Sequence, residues 1–379
     1  MTNILKLPEF SWHLSFPYSM SIERDRPLQT FNNCWAVALA SVIGDNLCIS
    51  ENIQPIYPSS IWLTALNNDF IGAIEKQKTM LNPGIINFGD FLNYLKSDCY
   101  VSLDSCFPEI STVNFLSAKD FAIRKVKGII PENTEYDRNW SRGYYTKIST
   151  DIIPKCCKKC QKLLVDSKNI DKLMDNCDKI KEDCVNDEEY IFKIHISDVY
   201  SEKKVFKDDV FSKIDLHYLR KVQQFIKTKL CKGPILGIIL STPEYKSYAR
   251  SYIENLDKNV SVFTQLLPRD VNYTYKFTHT ITILGWGLDE TSNKYFWWIR
   301  DPNVKSYLKI AFNDMNMIRN RSSIGPDMYF VYAEPKVLYC GIHIYAITPA
   351  PLDPKVKDTY IKNGLLTLIP KTVEEFDIM

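Results

Sequence analysis

Gln29-Thr30-Phe31-Asn32-Asn33-Cys34-Trp35-Ala36-Val37-Ala38-Leu39-Ala40-Ser41-Val42-Ile43 is a polar turn that runs directly into an apolar helix, and the rest of the chain is best read outward from it. From Cys34 to about Asn46 the spacing leaves almost no polar face, so this helix is predicted to be buried. The turn delivers a cysteine to the helix's first turn, where a partial positive charge of about half an elementary charge favours the thiolate. Gln29, five residues upstream, offers a neutral amide donor suited to steadying an oxyanion. Far downstream come Thr278-His279-Thr280-Ile281-Thr282-Ile283-Leu284-Gly285-Trp286-Gly287 and then Trp297-Trp298-Ile299-Arg300-Asp301. A thiol, an imidazole and a carboxylate in that order are the parts of a thiol nucleophile with its base.

Each candidate has a plainer reading beside it. Cys34 is expected to be the nucleophile; a cysteine in an apolar helix is otherwise ordinary core filler. His279 is expected to serve as general base and acid, against a satisfied core histidine at a strand start. Of the other four histidines only His343, in Gly341-Ile342-His343-Ile344, competes; it lacks the Gly-x-Gly block and the following Trp-rich strand. Asp301 is expected to accept the second ring N–H of His279, and a carboxylate there raises the imidazole pKa more than an amide would. Trp286 and Trp297 are assigned to the core.

With 379 residues and 45% hydrophobic content, the chain can bury a large core and is not a disordered protein. A formal net charge of +2 gives no electrostatic case for nucleic acid or an anionic membrane surface. No apolar run is long enough to predict a membrane span, and the N-terminus lacks the basic and apolar regions of a secretory signal. The expected compartment is therefore the cytoplasm, or a virion assembled there. Its 11 cysteines are then mostly reduced thiols or metal ligands, and the odd count leaves at least one unpaired. Heavy use of Lys, Asn and Ile suits an AT-rich genome such as that of a large DNA virus.

The organisation follows from composition shifts. Residues 1–125 form a lead segment and a helical part, with helices predicted at Ser59 to about Phe70 and Phe88–Lys96. Residues 126–189 read as a Cys-bearing insertion. Residues 190–348 are β-rich: strands are predicted at 190–196, 234–240, 279–284, 295–300 and 328–332, with an amphipathic helix from Leu216 to Lys229. Residues 349–379 read as a tail outside the core. Cys157-x-x-Cys160 has zinc-ligand spacing, but Cys177 and Cys184 are separated by six residues, so no metal centre is assigned.

The three blocks resemble the papain family of cysteine peptidases, and the cathepsin B branch within it. A Gln, a short turn and Cys-Trp-Ala match Gln29 and Cys34-Trp35-Ala36; a His opening a strand into Gly-x-Gly matches His279 and Gly285-Trp286-Gly287. The Trp-rich strand ends in Asp301 where the family has Asn. Pro154-Lys155-Cys156 and Lys232-Gly233-Pro234-Ile235 are weaker echoes, and the likeness spans roughly residues 7–335. It implies an α+β fold of two lobes, a helical one with Cys34 and a β-barrel-like one with His279 and Asp301. It implies peptide-bond hydrolysis through Cys34, His279 and Asp301, with Gln29 as oxyanion donor, Gly84 of Asn82-Pro83-Gly84 in the substrate-binding turn, and a polypeptide as the partner. No cofactor is implied. The branch has disulfides near Cys156 and an occluding loop with paired histidines; the latter has no counterpart here, which points to an endopeptidase. Departures are visible: Gln29 lies one residue closer than the family spacing, Asn32-Asn33 replace Gly-Ser, and Asp301-Pro302-Asn303 replace Asn-Ser-Trp. A non-catalytic structural protein on the same fold is the alternative that these departures raise. Only 33 residues precede Cys34, too few for the family's propeptide, so the chain is expected to be made in mature form.

Overall fold

A computed structural model of the chain describes residues 4–16, 34–60, 62–63, 66–67, 88–97, 100–104, 192–207, 214–252, 260–264, 278–304, 306–333, 337–364 and 366–369. The elements in chain order are β1 (Phe10–Ser11), α1 (Cys34–Glu51), α2 (Phe88–Lys96), β2 (Ile196–Lys207), α3 (Leu216–Leu230), β3 (Ile235–Leu240), α4 (Pro243–Arg250), β4 (Val262–Phe263), β5 (Thr278–Asp289), β6 (Lys294–Arg300), β7 (Tyr307–Ala311), α5 (Met315–Arg319), β8 (Tyr329–Ala333), β9 (Val337–Pro349) and α6 (Pro354–Lys362). The fold class is α+β. Nine strands join one sheet in the order β2-β9-β3-β5-β6-β7-β4, with β1 on β5 and β8 on β9. Pairing is antiparallel except between β4 and β7.

The centre of that sheet explains its sequences. β3 reads Ile-Leu-Gly-Ile-Ile-Leu and is buried at every position, so both faces are covered and the run is continuous rather than alternating. β5 is buried from His279 to Gly287 for the same reason. Helix α1 packs against β5, β9 and β3, which is why it is apolar all round. It runs to Glu51, past the expected end near Asn46, because Leu47 and Cys48 continue the buried face. By length and apolar content it would reach across a membrane, and 72% of that stretch is buried inside the protein.

Local chemistry sets the other helices. Asp215 accepts from the Tyr218 backbone N–H at 2.7 Å to start α3, and Lys227 and Lys229 lie in its negative last turn. Leu219, Val222, Ile226 and Leu230 form its buried stripe. The lead segment closes the bottom of this arrangement. Trp12 Nε1 donates to the Leu230 carbonyl at 2.8 Å, at the end of α3, where the Gly233 N–H also reaches the same oxygen. β1 crosses β5 so closely that a side chain at Gly285 would collide with the Phe10 carbonyl and the Ser11 Cα.

Several expectations differ from what is seen. The strand predicted at 190–196 begins only at Ile196 and runs to Lys207; before it Ile194 makes a single bridge to Val101. The short alternating run is a bridge because its partner is one residue, not a strand. The long strand β9 carries its hydrophobic pattern through Gly341 and His343 and was not expected. The described residues of the C-terminal segment, up to Ile369, do not lie outside the core. Asp353 caps α6 through the Lys355 and Val356 N–H groups, Tyr360 stacks on Phe192 at 4.4 Å, and Leu366 is buried. Backbone bonds from Gln54 to Thr367 and from Ile369 to Asn52 tie it to the end of α1. The expected helix at Ser59–Phe70 is helical at Ser60, Trp62, Leu63, Leu66 and Asn67. The insertion at 126–189, with Cys156, Cys157, Cys160, Cys177 and Cys184, lies outside the described residues, as do Gln29 and Gly84. Among the described residues Cys34, Cys48, Cys231 and Cys340 are free thiols.

Gly285→Ala tests the crossing of the lead segment over β5. The colliding atoms are backbone, so relief requires β1 to shift; a loss of about 2 kcal/mol is expected by chemical denaturation.

Candidate active site

The sheet order places His279 and Asp301 side by side. β5 pairs with β6 with Thr282 opposite Arg300, so the residues after Arg300 turn past the start of β5, where His279 stands. His279 is 6% exposed and Asp301 is 1% exposed. His279 Nε2 lies 3.0 Å from Asp301 Oδ1. An ionised carboxylate can only accept, so Nε2 carries the proton. The Asn303 backbone N–H donates to the same oxygen at 2.7 Å, and the Asn303 side-chain amide stands 3.4 Å from Nε2. With Nε2 committed to Asp301, Nδ1 is the ring nitrogen left for sulfur.

Cys34 supplies that sulfur. It is half-buried, stands at the start of helix α1, and lies within electrostatic reach of His279 and of the Thr280 backbone. The electrostatics are consistent with a thiolate beside an imidazolium. Burial pushes the Cys34 thiol up, but His279, its hydrogen bond and the Thr280 backbone outweigh this and leave it below its ordinary value. Burial alone would push the His279 pKa down; the charges of Asp301 and Cys34 reverse this and raise it to about 10. Burial opposes ionisation of Asp301 too, yet His279, Tyr245 and the Asn303 N–H bring it to about 2. Such a site can hold a nucleophilic sulfur, a proton donor and a fixed negative charge together.

The structure thus gathers Cys34, His279 and Asp301 and leaves His343 elsewhere. His343 Nδ1 bonds the Tyr329 hydroxyl at 2.9 Å, and burial lowers its pKa to about 4. Trp286 and Trp297 are fully buried core residues. Among the described residues there is no group of His, Cys, Asp and Glu able to hold a metal ion.

Two partners at this site went unread in the sequence. Tyr245 donates to Asp301 Oδ2 at 2.6 Å. Its helix was announced by Thr242-Pro243, a cap followed by a first-turn proline, but the target of the ring was not. Asp45, within α1, forms a buried ion pair with Arg300, the residue before Asp301. The signal there was plain: a carboxylate inside an apolar helix requires a cation.

Comparisons with known proteins come from shape. No protein-family model matches the sequence, and no curated protein matches it. Among solved structures, procathepsin B S9 from Trypanosoma congolense aligns with a TM-score of 0.42 and 14% identity over 93% of this chain and 81% of that one. A structure addressing the mite allergens Blo t 1 and Der p 1 aligns with a TM-score of 0.40 and 13% identity, over 90% of this chain and 71% of the other. Digestive procathepsin L 3 of the Tenebrio molitor larval midgut gives 0.40 and 10% over 89% and 70%.

Two outcomes follow from the charges. Asp45→Asn removes the carboxylate charge from this buried pair and should lower stability by about 3 kcal/mol in urea denaturation. His279 should titrate near pH 10 in ring-proton NMR. Because this lies above the ordinary 6.5, the protonated ring stabilises the fold in full below about pH 6.5, and that contribution is lost as pH rises through about 10. Asp301→Asn removes the largest charge that raises it, so the His279 titration should move down by more than about one pH unit.

Proposed function

We propose that this protein is a cysteine endopeptidase of the papain kind, with cathepsin B-like motifs, that cleaves polypeptides through Cys34, His279 and Asp301. The observation that carries this reading is the buried bond from His279 Nε2 to Asp301, with Cys34 close enough to the same ring to lower its own pKa through it.

The Cys34 thiolate attacks the scissile carbonyl carbon; the C–S bond forms and the carbonyl π pair moves to oxygen. In this reading the Cys34 backbone N–H and the Gln29 side chain hold that oxyanion. Collapse breaks the C–N bond, and His279 Nδ1 gives its proton to the departing amine. Water then attacks the acyl-thioester, His279 takes the water's proton, and the sulfur leaves as thiolate with a carboxylic acid released. Asp301 stays ionised throughout, holding the ring with Nδ1 toward the reacting atoms. The substitution of Asp for the family's Asn strengthens the imidazolium rather than removing the ring's support. Gly84, in the turn Asn82-Pro83-Gly84, is assigned to binding the extended peptide backbone.

Cys34→Ala should abolish hydrolysis of a casein or peptide substrate, a loss of at least about 10⁴-fold, and should end labelling by an epoxysuccinyl probe. Activity that survives in Cys34→Ala refutes the assignment. A wild-type Cys34 that takes up no probe places the chain with the non-catalytic proteins instead.

A further inference from the structure

We propose that Tyr245 is a positioning residue of this site: its hydroxyl holds the outer oxygen of Asp301 and thereby keeps the inner oxygen on the His279 ring. The inference rests on the thiol chemistry assigned above and adds a residue that the sequence motifs do not contain.

The geometry is set by three elements. β3 pairs with β5 so that Ile239 stands opposite His279 and Leu240 opposite Thr278. The chain therefore leaves β3 beside the imidazole. Thr242, fully buried, then caps α4, its Oγ1 accepting from the Tyr245 backbone N–H at 3.1 Å, with Pro243 in the first turn. This cap fixes the backbone of Tyr245 itself. The ring is 1% exposed and packs edge-on against Phe263 at 5.7 Å and beside Tyr248 at 6.2 Å. From that socket the hydroxyl reaches Asp301 Oδ2 at 2.6 Å, within the range of a hydrogen bond to a charged acceptor.

Asp301 is thereby held from both ends. His279 Nε2–H and the Asn303 N–H engage Oδ1, and the Tyr245 O–H engages Oδ2. A carboxylate gripped through only one oxygen can rotate about its Cβ–Cγ bond; one gripped through both cannot. Burial and the neighbouring carboxylate push the Tyr245 phenol well above its ordinary value, so it remains a donor wherever the site works. Among the described residues, the titratable groups that act on the carboxylate include His279 from β5, Cys34 from α1 and Tyr245 from α4, with Tyr248 one turn further on. Taking the hydroxyl away leaves the Asp301 charge less neutralised at Cys34, where that charge already opposes ionisation. The thiolate therefore forms at higher pH.

The test reads Cys34 directly rather than peptide hydrolysis. The rate of Cys34 alkylation by iodoacetamide, with the site mapped by mass spectrometry, is followed against pH in the wild type, Tyr245→Phe, Asp301→Ala and the double variant. In Tyr245→Phe the acid limb should move up by about one pH unit. The Asp301→Ala and double-variant profiles should coincide, because the hydroxyl then has no carboxylate to hold. With a peptide substrate, kcat should fall about tenfold in Tyr245→Phe while KM stays unchanged. Replacing Tyr245 with 3-fluorotyrosine keeps the ring and makes the hydroxyl a stronger donor, so it should move the limb the other way even if Tyr245→Phe folds poorly. A Tyr245→Phe profile that superimposes on the wild type overturns the proposal. So does an equal shift in the Asp301→Ala background, which marks a purely structural ring. A wild-type Cys34 that alkylates only as an ordinary thiol brings down the thiolate–imidazolium reading first, through a different curve.

Discussion

A carboxylate buried to 1% exposure is the constraint on which this site depends. In a low-dielectric interior Asp301 keeps its charge only because donors and a cation are aimed at it. Those donors come from separate parts of the chain: His279 from β5, Tyr245 from α4 and Asn303 from the turn after β6. Each is useless unless the strand order brings these pieces to one place. The sheet's sequence β3-β5-β6 does so, with α4 folding back from the end of β3. The chemistry and the topology are therefore one requirement, since the charge needs the donors and the donors need the sheet.

A second buried charge pair braces the first. Asp45 within α1 and Arg300 at the end of β6 join the helix that presents Cys34 to the strand that presents Asp301. Such a pair contributes little net stability, because both ions are stripped of water. What it does supply is orientation. An apolar contact between α1 and β6 could slide by a fraction of a turn; an ion pair between a planar guanidinium and a carboxylate has one geometry.

Legibility varied by residue for physical reasons. Cys34, His279 and Asp301 were readable because each ends or begins an element with strong periodicity, so its neighbours announce it. β3 was readable as an unbroken apolar run, and β5 as an alternating Thr-Ile stretch leading into Leu284 and Trp286. The 190–196 run misled because alternation over so few residues fits a single bridge as well as a strand. The segment after Pro349 misled because its apolar residues, Tyr360 and Leu366 among them, are too sparse to form a stripe alone. They are buried only because Phe192 and the end of α1 wait for them. Asp45 carried a usable signal, a charge in an apolar helix, whereas nothing near Tyr245 in sequence pointed to Asp301.

The amino-acid sequence alone determined the α+β class, the buried helix behind Cys34, the strand behind His279 and the chain order of thiol, imidazole and carboxylate. These are local properties, written in periodicity, caps and turn residues within a few positions of each other. Tertiary structure alone decided which hydroxyl meets Asp301, which cation answers Asp45, and that the C-terminal helix belongs to the core. Those choices depend on strand order and register, which place residues tens to hundreds of positions apart within 3 Å, and no short window of sequence contains that distance.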